Sequence, residues 1–388
     1  MKILYDHQIF EIQRVGGISR GFAEIISHLP ENVQYEISLK ESNNLYLDEY
    51  SLKNTSSNSN IVSFHRNDFL RGINFRGKGR LYDFLCNLNL IDSVESKNLR
   101  NSKKTLKRGD FDVFHPTYFS DYFLKYLGNK PFVLTVHDLT TENFPQFFSS
   151  TEFQTRMRKT LVPKANHIIV PSLCTKKDVM SRWNIPEEKI SVVHWGARFT
   201  PLLPSEQQPF YNFRYILFVG LRDGYKNFDF FISEAAKFLH KYKDINVVCT
   251  GQELNDSELS LISSLKLEGR IQTIFATDME LKRIYSNALC LVFPSLSEGF
   301  GLPTLEAFQY GCPVLLYNGS CHPEIGGDAA FYFDSDNKTS NISEQLELIE
   351  GIDLKERQVI ISKGYEQLKK FSWEKASRQY VEIYKSVM

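Results

Sequence analysis

Two glutamates eight residues apart, Glu298 and Glu306, stand on either side of a short glycine-rich stretch, "GFGLP". The run before them, "LCLVFPS", reads as a buried strand, and ligands of α/β sheets bind beyond the carboxyl ends of such strands. Pro303 suits the first turn of a helix, and Gly311 suits the residue after that helix ends. Residues 299–303 are therefore expected to approach a helix N-terminus, whose free N–H groups favour an anion such as a diphosphate.

The same pattern gives each glutamate a possible task. It places Glu306 in the first turn of the helix, where the helix dipole favours the ionised carboxylate. An ionised carboxylate accepts two hydrogen bonds and suits a vicinal diol such as that of a ribose. Glu298 would face a second set of hydroxyls. The alternative interpretation is a helix-capping acid and an unrelated loop acid.

A second strand end carries cations. The run "YILFVG" ends at Gly220, and Arg222 and Lys226 follow before the next helix. Two cations opposite a helix N-terminus could neutralise a departing diphosphate without a metal ion.

The N-terminal half offers further candidates. "QRVGGISRGFAEI" places Gly16 and Gly17 at a helix start, where a ligand could approach the backbone closely. His115 and His137 end consecutive strand candidates, "FDVFHPT" and "KPFVLTVHD", and would face the same cleft. For these two histidines a structural and a functional role are about equally expected.

The elements that must position these residues alternate along the chain. Apolar strands followed by helices indicate parallel strands buried on both faces, first in residues 1–196 and again in residues 214–370. Residues 197–213 hold several prolines without periodicity and read as a linker. Residues 371–388 read as an amphipathic helix with Ser372 as its N-cap. Two doubly wound α/β domains facing each other across a cleft are the expected architecture.

Composition limits the class of protein. The chain has 388 residues, 42% of them hydrophobic, and 46 Lys plus Arg match 46 Asp plus Glu, so the charge favours no nucleic-acid partner. The N-terminal apolar run is too short for a signal peptide, and no apolar window approaches the length of a spanning helix. Six scattered cysteines without a CxxC pair fit a reduced, cytoplasmic protein better than a disulfide framework or a zinc site.

One segment departs from the pattern. Residues 66–108 contain eleven Lys or Arg against four acids, a surplus of seven positive charges, together with several aromatic residues. Such a segment could contact an anionic membrane surface. A solvated insertion is the alternative, and it is slightly favoured.

The ordered set of motifs resembles the retaining glycosyltransferases of family 4, which have the GT-B fold. The resemblance rests on Glu-x7-Glu within "PSLSEGFGLPTLEAFQYGCPVL", and on "QRVGGISR", "FHPTYF", "VHDL", "VPS" with "KISVVHWG", "GYKN", "HPEIGGDAAFYF" and "FSWEKA". It covers nearly the whole chain in the family's order. It implies two Rossmann-like domains and a C-terminal helix that returns to the first domain. Many such enzymes build O-antigen, capsule or other surface glycans in bacteria.

By this resemblance the reaction moves a hexosyl group from a UDP- or GDP-sugar to a glycan or a lipid-linked oligosaccharide, with retention and without a metal or other cofactor. The enzyme would work in the cytoplasm, with a possible peripheral contact with the inner membrane. His137, Glu298 and Lys226 would act at the reacting sugar and phosphate, and His115 would contact the acceptor. The implied donor-binding residues are Gly17, Gly220, Arg222, Lys226, Glu298, Gly299, Phe300, Gly301, Leu302 and Glu306.

The chain departs from the family at one point. Many relatives carry an arginine where this sequence has Leu221 or Tyr225, so Arg222 is the remaining candidate there for a second phosphate-binding cation.

Other functions stay open at the level of sequence. A metal-dependent transferase of the other major fold would need an Asp-X-Asp motif, and "DFD" (110–112) and "DSD" (334–336) both match. An inactive partner subunit that binds a nucleotide sugar, a GT-B epimerase and a phosphorylase are further alternatives. A dehydrogenase is disfavoured because no GxGxxG follows the first strand. The base, the sugar, the acceptor, the linkage and the oligomeric state are not encoded in recognisable motifs.

Overall fold

A computed structural model describes residues 1–52, 63–64, 70, 77–87, 92–148, 152–197, 208–222, 224–334 and 341–388. The strands within these ranges are β1 Lys2–Tyr5, β2 Gln34–Ile37, β3 Ser63–Phe64, β4 Asp92–Ser93, β5 Val113–His115, β6 Val133–Thr135, β7 His167–Val170, β8 Ile190–Val192, β9 Arg214–Phe218, β10 Ile245–Thr250, β11 Ile271–Ile274, β12 Leu291–Phe293, β13 Val314–Tyr317 and β14 Phe331–Phe333. The helices are α1 Gln8–Ile12, α2 Gly17–Ser27, α3 Leu45–Glu49, α4 Lys78–Asn87, α5 Val94–Arg108, α6 Thr140–Asn143, α7 Glu152–Leu161, α8 Leu173–Trp183, α9 Phe228–Lys241, α10 Asp256–Ser264, α11 Asp278–Asn287, α12 Leu302–Gln309, α13 His322–Gly326, α14 Ile342–Gly351, α15 Leu354–Leu368 and α16 Trp373–Ser386.

The first domain is built on parallel strands. Two three-stranded sheets, β2-β1-β5 and β6-β7-β8, are joined by a parallel bridge between Phe114 and Phe132. The Phe114 N–H donates to the carbonyl of Pro131 over 3.0 Å, which makes one continuous surface in the order β2-β1-β5-β6-β7-β8. Apolar side chains such as Ile3 and Leu4 are fully buried on its opposite faces, as expected for a parallel sheet covered by helices.

The second domain contains a six-stranded parallel sheet in the order β11-β10-β9-β12-β13-β14. This is the Rossmann strand order. Successive strands are added on one side of the first strand, here β9, and from the fourth strand, here β12, they are added on its other side. Ligands of such sheets bind in the crevice at that reversal, beyond the carboxyl ends of the two strands. The loops that carry Gly220 and Glu298 follow β9 and β12, so both open onto this crevice.

The C-terminal helix α16 returns to the first domain. Ser372 is its N-cap, with Oγ accepting from the Lys375 N–H over 3.2 Å. On its buried face, Tyr384 hydrogen-bonds Tyr5 over 2.9 Å, and Ser377 donates to the carbonyl of Ile25 over 2.9 Å. The predicted fold class is confirmed, including the returning helix.

Two predicted segments lie partly outside the described residues. In the predicted linker these are residues 198–207, and in the basic segment they are residues 66–69, 71–76 and 88–91. Where the basic segment is described, α5 packs on its own domain: Arg108 donates to Glu36 over 2.7 Å, and Lys107 lies 5.3 Å from the centre of the Tyr126 ring. No helix in the described part of the chain has both the length and the apolar character needed to cross a bilayer.

Candidate active site

The N-terminus of α12 lies at the crevice of the second domain. Gly301 is the N-cap with φ of 86°, a left-handed conformation that favours glycine, and Pro303 follows in the first turn. Both features match the sequence prediction. Glu306, however, is the fifth residue of α12 and not part of its first turn. Glu306 therefore lies just beyond the first turn, at the start of the second.

Both oxygens of the Glu306 carboxylate are hydrogen-bonded. Arg20, on α2 of the first domain, donates from Nη1 to Oε1 over 2.9 Å. Tyr285 donates from its hydroxyl to Oε2 over 3.1 Å. Burial, followed by the charge of Glu306, raises the pKa of Tyr285, so the hydroxyl stays protonated. Glu306 thus faces the opposite domain across the cleft.

Two helix N-termini approach each other at this place. A methyl group built on Gly17, the first residue of α2, would lie 3.7 Å from Cδ1 of Leu302, the first residue of α12. The Gln13 side chain caps α2 by accepting from the Ser19 N–H over 3.0 Å. The positive ends of two helix dipoles therefore point into one cleft, an arrangement that favours an anion.

Lys226 and Glu298 form an ion pair beside α12. Lys226 Nζ lies 2.5 Å from Glu298 Oε1, and the two side chains are 15% and 16% exposed. Burial acts to lower the pKa of Lys226, but the Glu298 carboxylate, together with Tyr225 and Asp138, outweighs burial and raises the pKa, so the ammonium stays charged. The Nζ atom also lies 5.5 Å from the centre of the Phe293 ring at the end of β12.

Ser320 holds the backbone of Glu298 in place. Its Oγ accepts from the Glu298 N–H over 3.0 Å and donates to the Glu298 carbonyl over 3.1 Å. Ser320 has φ of 54°, which is uncommon for a residue other than glycine. A strained residue that fixes the loop of a candidate site is consistent with function at that site.

His137 lies two residues beyond β6 and is buried among aromatic rings. The ring centres of Trp195 and Phe22 are 5.5 Å and 5.7 Å from its own. Burial lowers the pKa of His137 to about 4, with Arg158 acting in the same direction and Asp138 opposing it. The imidazole is therefore neutral near pH 7.

The two domains touch where Gly299 meets His137. A methyl group on Gly299 would overlap the carbonyl oxygen of His137 and lie 2.8 Å from its carbonyl carbon. Nearby, the hydroxyls of Thr140 and Ser297 are 3.0 Å apart. The structure therefore places His137 of the first domain against the loop that carries Glu298 in the second domain, through a contact that only glycine allows.

His115 is not at the cleft surface, contrary to the predicted contact with an acceptor. It is fully buried, with Nδ1 2.7 Å from the Tyr384 hydroxyl and Nε2 2.9 Å from the Thr135 hydroxyl. Burial lowers its pKa to about 3. The reason for the difference is that α16 covers the carboxyl end of β5, so His115 anchors the returning helix.

Arg222 also differs from its prediction as a phosphate ligand. Its side chain is 6% exposed, and Nε donates to Glu258 Oε1 over 2.7 Å. Nη2 donates to the carbonyl of Glu253 over 2.8 Å. The guanidinium is thus held by the N-terminal region of α10 and is not presented to the crevice as a free cation.

The remaining predicted residues divide between backbone and core. Gly220 has φ of 122°, and its N–H donates to Thr250 Oγ1 over 3.2 Å, so this glycine shapes the turn after β9. The Phe300 side chain is buried, with its ring centre 5.6 Å from that of Phe371 at the start of the returning segment. Only the backbone of Phe300 is available to a ligand.

Three residues of the site were not singled out from the sequence. Arg20 is the last residue of the motif "QRVGGISR". A cation three residues after Gly17 is the sequence feature that points to it. Tyr285 and Ser320 reach the site through the tertiary fold alone, and no local pattern marks them.

The described residues contain no group of three or more His, Cys, Asp or Glu placed to share a metal ion. Asp110 and Asp112, which match Asp-X-Asp, bind Lys2: the Asp110 carboxylate accepts from Lys2 Nζ over 2.8 Å and the Asp112 carboxylate from its N–H over 2.7 Å. Lys2 begins β1, so this pair lies at the amino ends of the strands, away from the cleft. Of the other match, Asp334 accepts from Asn318 over 3.1 Å, while residues 335–340 lie outside the described residues.

Comparison with protein families gives two matches that divide the chain. Residues 15–198 match Glycosyltransferase Family 4, and residues 204–367 match Glycosyl transferases group 1. Together they cover nearly all of the two domains.

Two curated relatives are O-antigen enzymes. The chain is 27% identical over 208 residues to the O-antigen chain mannosyltransferase RfbU of Salmonella typhimurium. This match covers 53% of the chain and 58% of the relative. The chain is 27% identical over 270 residues to the O-antigen chain mannosyltransferase B of Escherichia coli. This second match covers 65% of the chain and 70% of the relative. The first match thus spans less than two thirds of its relative.

A solved structure shares the fold over its full length. Anabaena HepE, in a crystal structure with UDP and glucose, superposes with a TM-score of 0.72 at 16% identity and covers 100% of both chains.

Proposed function

The chain belongs to the glycosyltransferases with the GT-B fold, and from that premise we propose that it transfers a hexosyl group from a nucleotide diphosphate sugar to a hydroxyl of a glycan or a lipid-linked acceptor. The observation that carries this proposal is the convergence of Lys226, Glu298 and Glu306 on the N-terminus of α12, in a cleft that His137 closes from the other side.

In this proposal Glu306 holds the ribose hydroxyls and Glu298 holds hydroxyls of the donor sugar. The surroundings of Glu306 support the role of a ribose ligand. Its carboxylate faces the cleft and accepts hydrogen bonds from Arg20 in the first domain and Tyr285 in the second. The hydroxyls of a diol are donors of the same kind as the Tyr285 hydroxyl that already binds this carboxylate. The backbone N–H groups of residues 299–302 and the α2 terminus at Gly17 complete the anion site.

Lys226 stabilises the negative charge that develops on the leaving diphosphate. Its ammonium is charged and only partly exposed, so little water has to be displaced before it meets a phosphate oxygen. In the structure Glu298 neutralises Lys226. When the donor binds, the phosphate takes the place of Glu298 at the ammonium and the carboxylate turns to the sugar hydroxyls.

His137 is proposed to contact the donor sugar close to the reacting carbon. Because its pKa is about 4, the neutral ring can donate or accept a hydrogen bond without adding charge. Retention of the anomeric configuration, with the donor phosphate taking the acceptor proton, is proposed from the family resemblance. Metal independence is proposed because Lys226 and two helix N-termini can supply the required positive field.

The identity of the hexose is proposed from the relatives. Two of them are named as mannosyltransferases of O-antigen chains, so we propose mannose as the first candidate for the transferred sugar. HepE was solved with UDP and glucose, so UDP-glucose is the matched alternative donor. We place the reaction in the cytoplasm, on acceptors of surface-glycan synthesis.

The proposed function is tested by turnover in the presence of a chelator. GDP-mannose, UDP-glucose and related donors are incubated with simple methyl glycosides as acceptors, and the released nucleotide diphosphate and the anomeric signals of the product are measured by NMR. We expect acceptor-dependent release with retained configuration. Donor binding without release would instead support an inactive partner subunit, and a new sugar nucleotide would support an epimerase.

A peripheral membrane contact through residues 66–108 is a separate proposal that rests on their surplus of seven positive charges. Flotation with vesicles containing anionic lipid tests it. We expect binding that is lost at high salt, and binding equal to that of neutral vesicles would contradict it.

A further inference from the structure

The ion pair between Arg20 and Glu306 joins the two domains across the cleft. Arg20 Nη1 lies 2.9 Å from Glu306 Oε1, and the side chains are 32% and 21% exposed. Tyr285 occupies Oε2, so both oxygens that a ribose diol would use already have partners within the protein. Each carboxylate oxygen can accept a second hydrogen bond, but a ribose diol that approaches Glu306 from the cleft competes with Arg20 for Oε1.

Arg20 stands close to the expected position of the diphosphate. It lies in the first turn of α2, three residues after Gly17, and Gly17 faces Leu302 at the start of α12. A guanidinium that leaves Glu306 therefore remains between two helix N-termini, where an anion is favoured. Arginine also suits phosphate, because its planar fork can donate two parallel hydrogen bonds.

The other cations of the crevice are already engaged. Lys226 is paired with Glu298, and Arg222 is held in a buried pair with Glu258. Of the two cations predicted from the second domain, Lys226 alone is therefore presented to a diphosphate in the cleft.

We propose that Arg20 is a second cation for the diphosphate and that it exchanges partners when the donor binds. Without donor, Arg20 holds Glu306 and ties the domains together. With donor, Glu306 turns to the ribose and Arg20 turns to the diphosphate, so the first domain supplies a phosphate ligand to a nucleotide held by the second. The inference rests on the proposed function and assigns Arg20 as a donor-binding residue.

The exchange predicts a change in selectivity that simple destabilisation does not produce. Replacing Arg20 by Ala removes a phosphate ligand but also frees Glu306 for the ribose. Affinity for UDP or GDP should fall by roughly tenfold or more, as expected for the loss of a charge-assisted hydrogen bond. Affinity for uridine or guanosine, which have the ribose but no phosphate, should stay the same or rise.

Calorimetric titration of wild-type protein, Arg20→Ala and Arg20→Gln with each nucleoside and its diphosphate measures this ratio. Arg378→Ala, a change at an exposed arginine of α16, is the matched control. Arg20→Gln keeps a polar side chain, so it serves if Arg20→Ala does not fold. A ratio of diphosphate to nucleoside affinity that falls about tenfold in the Arg20 variants, and not in the control, supports the exchange.

Three results would overturn the inference. An unchanged ratio with both affinities lowered would make Arg20 an interdomain tether only. An unchanged ratio with both affinities raised would make it a simple block to the ribose site. In both cases the wild-type protein still binds a diphosphate, so the proposed function stands. If the wild-type protein binds no nucleotide diphosphate, the proposed function fails and the exchange fails with it.

Discussion

Replacing Gly299 by alanine should separate the two halves of the site without unfolding either domain. The added methyl group would overlap the carbonyl oxygen of His137 and come within 2.8 Å of its carbonyl carbon. Both are backbone atoms of the opposite domain, so no flexible side chain can move away. The loop at Glu298 and the strand end at His137 have to separate by a distance on the order of 1 Å, and a misplacement of that size can lower turnover about 10²-fold.

The assay compares turnover with nucleoside binding. In Gly299→Ala, release of nucleotide diphosphate in the presence of acceptor should fall about 10²-fold. Affinity for the nucleoside should change little, because Glu306 and Tyr285 belong to the second domain alone. Gly351→Ala is the control, since a methyl group there meets no atom within 4 Å. Turnover in Gly299→Ala within a factor of about two of the control would refute the proposed contact between catalytic halves.

Three further predictions concern charge, packing and protonation. Lys226→Ala should lower turnover by more than about 10²-fold, as for the loss of one transition-state donor, and Lys237→Ala on the exposed face of α9 should leave it unchanged. Tyr384→Phe leaves Nδ1 of His115 buried without its partner, so urea unfolding should show a loss of about 1–3 kcal/mol with nucleotide affinity preserved. Burial lowers the pKa of His115 to about 3 and that of His137 to about 4, so the unfolded chain binds more protons between those values and about 6.5. The free energy of unfolding should therefore fall as the pH drops from about 6.5 to 4, by up to about 1.4 kcal/mol per pH unit for each histidine, and a flat profile over that range would contradict these shifts.

Local sequence patterns predicted the elements that carry the site. The apolar runs gave the parallel strands, and the glycine and proline around residues 301–303 gave the start of α12, because backbone conformation at these positions depends on the residue itself. Local patterns also placed Glu298 and Lys226 in loops that follow predicted strands. The structure shows that these two strands are neighbours and that the two side chains are in contact. Features that depend on a single strand–turn–helix unit can therefore be predicted from the sequence of that unit.

The differences arise where a distant element decides the environment. His115 ends a strand as predicted, yet Tyr384, far along the chain, closes over it. Arg222 follows its strand as predicted, yet Glu258 holds it in a buried pair. Arg20 meets Glu306 only because the two domains face each other. Sequence spacing does not encode such long-range partners, so these roles had to come from the tertiary structure.

The most direct test of the central claim is thermal unfolding of the purified protein in chelator with UDP, GDP, ADP and CMP and their sugar conjugates. A ligand at a hundred times its dissociation constant should stabilise the fold by about 2.7 kcal/mol. We predict that one nucleotide diphosphate raises the unfolding midpoint, that Glu306→Ala abolishes the shift, and that Glu344→Ala in the first turn of α14 preserves it. If no nucleotide raises the midpoint of the wild-type protein, or if Glu306→Ala keeps the full shift, the cleft is not the donor site described here.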